Sequence, residues 1–196
     1  MANWATVNYT IEGPISDLSL LMNALQNTPV GIERERAEAN VLSILGVKLD
    51  NIKHCDGRGL DLRGGITDFE WGHGNTTILI SAEEAWGVVD FKDVLKVRFP
   101  DIKIYYSVEE PNEEIYATND VQGKYYHDRF YVDACIDDEY DCNYFSNSTS
   151  MYQWISEITG GRVYDEETLN TFNSDYEDEG TDDENYIHVH EFKIIS

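Results

Sequence analysis

The sequence predicts an α+β sandwich: a mostly antiparallel sheet with helices on one face and a C-terminal elaboration. Three observations carry that prediction. Stretches with the two-residue alternation of half-buried strands are interleaved with stretches of helical periodicity, in the order β-α-(α)-β-β-α-β up to about residue 110. Of the 196 residues, 41% are hydrophobic and 12% aromatic, enough to build a core of single-domain size. Gly and Pro mark the breaks between stretches.

The elements follow in order. Ala5, Val7, Tyr9 and Ile11 alternate with Trp4, Thr6, Asn8 and Thr10, the period of a strand with one buried face, and Gly13-Pro14 breaks it. Leu18, Leu21, Met22 and Leu25 recur at helical spacing, with Ser16 or Asp17 available near the start. Residues 32–45 read as a second helix, in which Glu33-Arg34-Glu35-Arg36 gives way to Val41, Leu42 and Leu45. Asp56-Gly57-Arg58-Gly59 and Gly64-Gly65 punctuate a loop. Residues 66–71 and 76–82 read as strands joined across Gly72-His73-Gly74-Asn75. A helix over 88–99, with Phe91, Val94 and Leu95 inward, is stopped by Pro100, and Ile102, Ile104, Tyr106 and Val108 then alternate as a strand. Further on, 125–135 reads as a strand and 148–159 as a helix ending at Gly160-Gly161. The acidic stretch 173–185 reads as a loop and 186–195 as a closing strand. This order fits a single domain, with a ferredoxin-like core over 1–120 and an acidic elaboration over 121–196 that completes the sheet.

Several short motifs fall along this order. Asn3-Trp4 precedes a strand ending in Gly13; Leu62-Arg63-Gly64 leads to Trp71-Gly72; Ala85-Trp86, Phe99-Pro100 and Glu109-Glu110-Pro111 follow. Together they resemble the YubB-type ferredoxin-like family of phage and plasmid proteins over about residues 1–120. The chain departs from that pattern at Ala5, where the family commonly has Cys, and lacks a Gly after Pro111. The resemblance implies a ferredoxin-like fold and a mobile-element origin, and it brings no catalytic residues with it.

Charge bounds the function. The chain holds 38 Asp and Glu against 14 Lys and Arg, net −24. Direct binding to nucleic-acid phosphates or to an anionic membrane is opposed by that balance. No stretch approaches the roughly 20 apolar residues of a membrane helix. The N-terminal residues have neither a basic nor an apolar leader pattern, so the sequons at Asn8, Asn75 and Asn147 are expected to be idle. Cys55, Cys135 and Cys142 are odd in number and widely spread, unlike a disulfide framework. A reducing, cytoplasmic location in a host cell is expected.

The possible chemical sites are weak. Glu109, Glu110, Glu113 and Glu114 are carboxylates close in sequence, but acid/base work needs one of a pair in an apolar setting, and a solvated turn is expected instead. Aligned on a calcium loop, Asp175, Glu177 and Glu179 fall at positions 1, 3 and 5 and Gly180 at position 6, but position 12 is Tyr186 rather than Glu. His188 and His190 share a strand face with Tyr186, Phe192 and Ile194. A zinc site completed by Cys135, Cys142 or His127 lacks the usual short ligand spacing, so half-buried histidines and no metal or cofactor are expected. His54-Cys55-Asp56-Gly57, between Lys53 and Arg58, is the nearest approach to a reactive thiol. No nucleophile elbow, phosphate-binding loop or zinc-protease motif is present, and a non-enzymatic protein is expected.

The charge is unevenly spread. Residues 1–100 hold 14 acids and 9 bases, whereas 101–196 hold 24 and 5, with 12 of the 13 tyrosines. A domain of this size is roughly 40 Å across, a length over which duplex DNA carries roughly 24 charges. The expected function is that of a phage or mobile-element protein whose acidic face binds a basic, nucleic-acid-binding host protein. Its concrete form is a nucleic-acid-mimicking inhibitor of a defence nuclease. Glu109, Glu110, Glu113 and Glu114 would supply charge, as would Asp137, Asp138, Glu139 and Asp141. A third group is Asp175, Glu177, Asp178, Glu179, Asp182, Asp183 and Glu184. Tyr140, Tyr144 and Tyr176 would stack or make cation–π contacts with Arg. The alternative is a phage accessory or structural protein whose interaction surface has nothing to do with mimicry.

Overall fold

The computed structural model describes residues 3–28, 36–49, 59–178 and 185–195. The chain divides into two compact units, Met1–Asp120 and Val121–Ile195. Both mix helices with antiparallel sheet.

The first unit is built on β1 (Trp4–Glu12), β2 (Gly64–Trp71), β3 (Thr77–Ala85), β4 (Lys103–Glu110) and β5 (Ile115–Thr118). β1 lies between β3 and β4, β2 flanks β3, and β5 flanks β4, every pairing antiparallel. The alternation in β1 sets its register: Ala5, Val7, Tyr9 and Ile11 are all buried. The helices α1 (Ile15–Gln26), α2 (Ala37–Ile44) and α3 (Asp90–Arg98) pack on that side, contributing Leu18, Leu21, Leu25, Val41, Leu42, Phe91, Val94 and Leu95 to one core. α1 begins one residue before the expected cap. Pro14 occupies the N-cap, and its carbonyl accepts from Asp17 N at 2.9 Å and Leu18 N at 3.0 Å, so neither Ser16 nor Asp17 caps with its side chain. α3 ends where Pro100 forces Phe99 out of the helical region, at φ −130°, ψ 83°. For α2, the described helix starts at Ala37; its expected beginning at 32–35 lies outside the described residues.

β5 went unread in the sequence because only four residues form it. The amide of Asn119 extends its pairing: Oδ1 accepts from Tyr106 N at 2.8 Å, and Nδ2 donates to the Ile104 carbonyl at 2.8 Å.

The second unit has its own sheet and its own core. β6 (Phe130–Ile136) is central, paired antiparallel with β7 (Glu139–Phe145) and with β8 (Tyr186–Glu191). One face of this sheet packs Val132, Ala134 and Ile187 against Met151 and Ile155 of α4 (Ser148–Ile158) and Leu169 and Phe172 of α5 (Glu166–Asp178). α4 starts as its sequence indicates, with the Asn147 side chain accepting from Ser150 N at 2.9 Å. Residues 130–145 and 186–191 thus form a separate sheet instead of lengthening the first.

The expected loop over 173–185 is corrected in part: 173–178 are the last turns of α5. The helix is nucleated by a cap, since Asp165 Oδ1 accepts from Thr168 N at 2.9 Å, which also holds the Asp165 carboxyl below the usual range. It is then pinned in its middle by Asn173, whose amide donates to the Ile187 carbonyl at 2.8 Å and accepts from Ile187 N at 3.0 Å. Helical backbone through Asp178 leaves no room for a calcium loop opening at Asp175.

Candidate functional site

β6 and β8 turn Val132, Ala134 and Ile187 to the helices and present their alternate residues on the opposite face; β7 follows the same register, with Phe145 in the core and the exposed Glu139, Asp141 and Asn143 on the helix side. The registers arrange the residues of the opposite face in three rows of three. Tyr144, Tyr131 and His190 lie side by side; Cys142, Asp133 and His188 form the next row; Tyr140, Cys135 and Tyr186 form the third. No aliphatic side chain interrupts the grid. Tyr140, Cys142, Tyr144 and His188 are exposed, and the remaining five are half-buried.

The rings touch. The Tyr131 and Tyr144 centroids are 4.8 Å apart. Tyr131 stacks on His190 at 5.8 Å, and Tyr186 on His188 at 4.6 Å with only 20° between planes. The Tyr131 and Tyr140 hydroxyl oxygens are 3.5 Å apart. The Tyr140 hydroxyl pushes the Tyr131 phenol well above its ordinary pKa, and partial burial and Cys142 act the same way, so Tyr131 stays neutral. At the centre sits Asp133. Its Oδ1 is 2.9 Å from His190 Nε2 and its Oδ2 is 3.4 Å from His188 Nδ1. Among the described residues, Asp133, His188 and His190 form a set of metal-ligand type whose donor atoms all lie within 4.8 Å of one another. Cys135 and Cys142 are free thiols on the same face.

The sequence-predicted binding residues fall into three groups. Asp137, Asp138, Glu139, Tyr140, Asp141 and Tyr144 come together on β7 and the hairpin leading into it, all exposed. Asp137 and Asp138 are the turn itself, at φ 53° and 64°, the left-handed geometry of a two-residue hairpin. Glu109, Glu110, Glu113 and Glu114 belong to the first unit, and Glu110 is corrected: it is fully buried. Its carboxylate accepts from Glu113 N at 2.5 Å and from the Asn112 amide at 3.0 Å, closing the turn after β4. Glu113 and Glu114 are exposed, and Glu113 accepts from the Asn3 amide at 2.8 Å. Asp175, Tyr176, Glu177 and Asp178 have helical backbone at the end of α5. Glu179, Asp182, Asp183 and Glu184 lie outside the described residues, as do His54, Cys55 and Asp56 of the thiol-bearing loop.

A carboxylate pair in split environments does exist, at positions that no motif marked. Glu38 of α2 and Glu84 of β3 are buried together with Tyr9 of β1, each at most 1% exposed. The Tyr9 hydroxyl donates to Glu84 Oε1. Burial raises the Glu84 pKa to about 7, against lowering by its hydrogen bonds to Tyr9 and Glu38. Burial, followed by the charge on Glu84, raises Glu38 well above the carboxylate range, so Glu38 is held protonated beside it. Asp90, also buried, accepts from Asp61 N at 2.9 Å and adds to the repulsion. Gly64 permits the approach, because a Cβ there would overlap the Glu38 carboxyl. Both carboxyls and the phenol are out of solvent, so their ionisation bears on the stability of the fold.

No protein family, curated protein or solved structure matches this chain.

Proposed function

We propose that this chain is a non-enzymatic binding protein of a phage or plasmid, and that the second unit binds the basic, nucleic-acid-contacting surface of a host protein. One observation carries the reading. Tyr131, Tyr140 and Tyr144 lie on a single open sheet face, beside the exposed turn bearing Asp137 and Asp138, while Glu139 and Asp141 alternate to the other face of β7 and add only to the field. Arginine is the natural complement of such a surface. Its guanidinium stacks on tyrosine at about 0.5–2 kcal/mol per contact and pairs two-pronged with carboxylates. The unit around this face holds 18 acids and 4 bases over 121–195, net −14, a field that speeds the approach of a cationic partner. A partner engaged in this way has its nucleic-acid site covered, which makes competition the functional outcome and a defence nuclease the concrete target class.

The mobile-element origin rests on the motifs of the first 120 residues. The order β1-α1-α2-β2-β3-α3-β4, with β3 inserted between β1 and β2 and β1 inserted between β3 and β4, supports reading the first unit as ferredoxin-like.

The experiment is affinity capture from the host, followed by equilibrium binding of the captured protein to variants. Tyr140→Ala with Tyr144→Ala should weaken binding at least tenfold, and Asp137→Asn with Asp138→Asn, which the left-handed turn tolerates, should raise the dissociation rate and flatten the salt dependence. A partner whose affinity is indifferent to all four substitutions and to about 0.5 M salt would instead favour an accessory or structural role with another interface.

A further inference from the structure

We propose that Asp133, His188 and His190 bind one divalent transition-metal ion of zinc's class, through two imidazole nitrogens and one carboxylate oxygen, leaving the remaining coordination positions open on the sheet face. The proposal concerns the face described above but does not rest on its having a partner.

The geometry follows from strand register. In a strand, His188 and His190 project to the same face about 7 Å apart. Asp133 lies directly across from His188, while His190 is one pleat further along, across from Tyr131. The two histidines compensate for that offset with different atoms. His188 turns its near nitrogen, Nδ1, to the carboxylate, and His190 reaches back with its distal nitrogen, Nε2. Three donor atoms from two strands therefore converge within 4.8 Å. Zinc holds nitrogen and oxygen at about 2.0–2.2 Å, which places ligand atoms roughly 3.5 Å apart, so small side-chain rotations close the set around an ion.

The surroundings suit a cation. Asp133 and His190 have only 17% and 14% of their side chains exposed, whereas His188 is 56% exposed, so the site is walled by the sheet on one side and open on the other. Tyr186 and Tyr131 stack on the two imidazoles and fix their planes, the orienting role that supporting side chains play around metal ligands. Two nitrogens with one carboxylate favour zinc, iron(II), cobalt or nickel, and disfavour magnesium and calcium, which take oxygen alone. A purely structural account makes Asp133 the acceptor of two imidazole N–H groups. In that arrangement both nitrogens carry protons; in the metal site both present lone pairs. Cys142, directly opposite Asp133 on β7, stays outside the set.

The test uses the untagged full chain, stripped of metal, titrated with zinc against a chromophoric chelator. Millimolar magnesium and about 0.5 M salt occupy and screen the other acids. The expected result is one zinc per chain at micromolar affinity or tighter, with cobalt(II) giving the visible absorption of a low-coordinate nitrogen-oxygen site. His188→Ala, at an exposed position, and His190→Gln should each weaken zinc at least a hundredfold and abolish the cobalt spectrum. Asp133→Asn should weaken zinc at least tenfold. Glu167→Gln, an acid on α5, should change nothing. An unchanged circular dichroism spectrum for His188→Ala separates ligand loss from misfolding. Zinc bound no tighter than millimolar, or bound equally well after both histidine substitutions, would overturn the proposal.

Discussion

Glu84→Gln isolates the ionisation of one buried carboxyl, because the amide keeps the shape and the acceptor for the Tyr9 hydroxyl while removing the charge. The Glu84 carboxyl ionises at about 7 in the folded protein and near its ordinary 4.5 in the unfolded chain. Between those values the folded state holds a proton that the unfolded chain has released, so folding is progressively disfavoured. The stability associated with the protonated carboxyl is full below 4.5 and is lost as pH rises to about 7. At about 1.4 kcal/mol per pH unit, that loss comes to about 3 kcal/mol. Glu38 is raised in the same direction and carries the decline further upward, and removing the Glu84 charge relieves it too. The variant should therefore nearly match the wild type at low pH and exceed it by about 3 kcal/mol or more at pH 8. Urea denaturation followed by tryptophan fluorescence reads the relevant unit, since Trp4, Trp71 and Trp86 lie in the first unit and Trp154 in the second. Taking the difference between variant and wild type at each pH cancels the general repulsion of a −24 chain. A difference that stays constant between pH 5 and pH 8 would refute the reasoning.

Two further outcomes test the second unit. Asp138→Gly relieves a non-glycine residue of φ 64° in the β6–β7 turn and should stabilise the unit by about 1 kcal/mol, measured as a higher melting temperature without change in the circular dichroism spectrum. Asn173→Ala removes both hydrogen bonds that tie α5 to Ile187, leaving a buried backbone group unpaired. It should destabilise the unit by about 2–3 kcal/mol, seen as faster amide exchange in α5 and β8.

The legible part of the fold is the part where periodicity reports burial. β1 and α4 were readable because Ala5 to Ile11 and Met151 with Ile155 bury the residues that make the pattern. α5 was not, since Leu169 and Phe172 are the only buried apolar residues among those described on it and its anchoring comes from a polar cap and one asparagine amide. β7 was not either: it is an edge strand with six of seven residues exposed, so Glu139 to Tyr144 read as a charged run. The site was hidden for a related reason. His188 and His190 are two residues apart, but Asp133 reaches them only through a register across 55 residues. Glu38 and Glu84 carried no signal at all, because two isolated glutamates in amphipathic stretches look solvated until the fold buries them against Gly64 and Tyr9. Tyr140, Tyr144 and the neighbouring acids lie close together simply because they are adjacent in sequence.

The most direct measurement of the central claim is displacement: the captured partner is loaded with labelled duplex or single-stranded nucleic acid at low salt, and this protein is added in increasing amounts. The account expects release of the label at about one protein per partner, with the midpoint moving to higher concentration for Tyr140→Ala with Tyr144→Ala and as salt is raised. A ternary complex that retains the label at tenfold excess would contradict it.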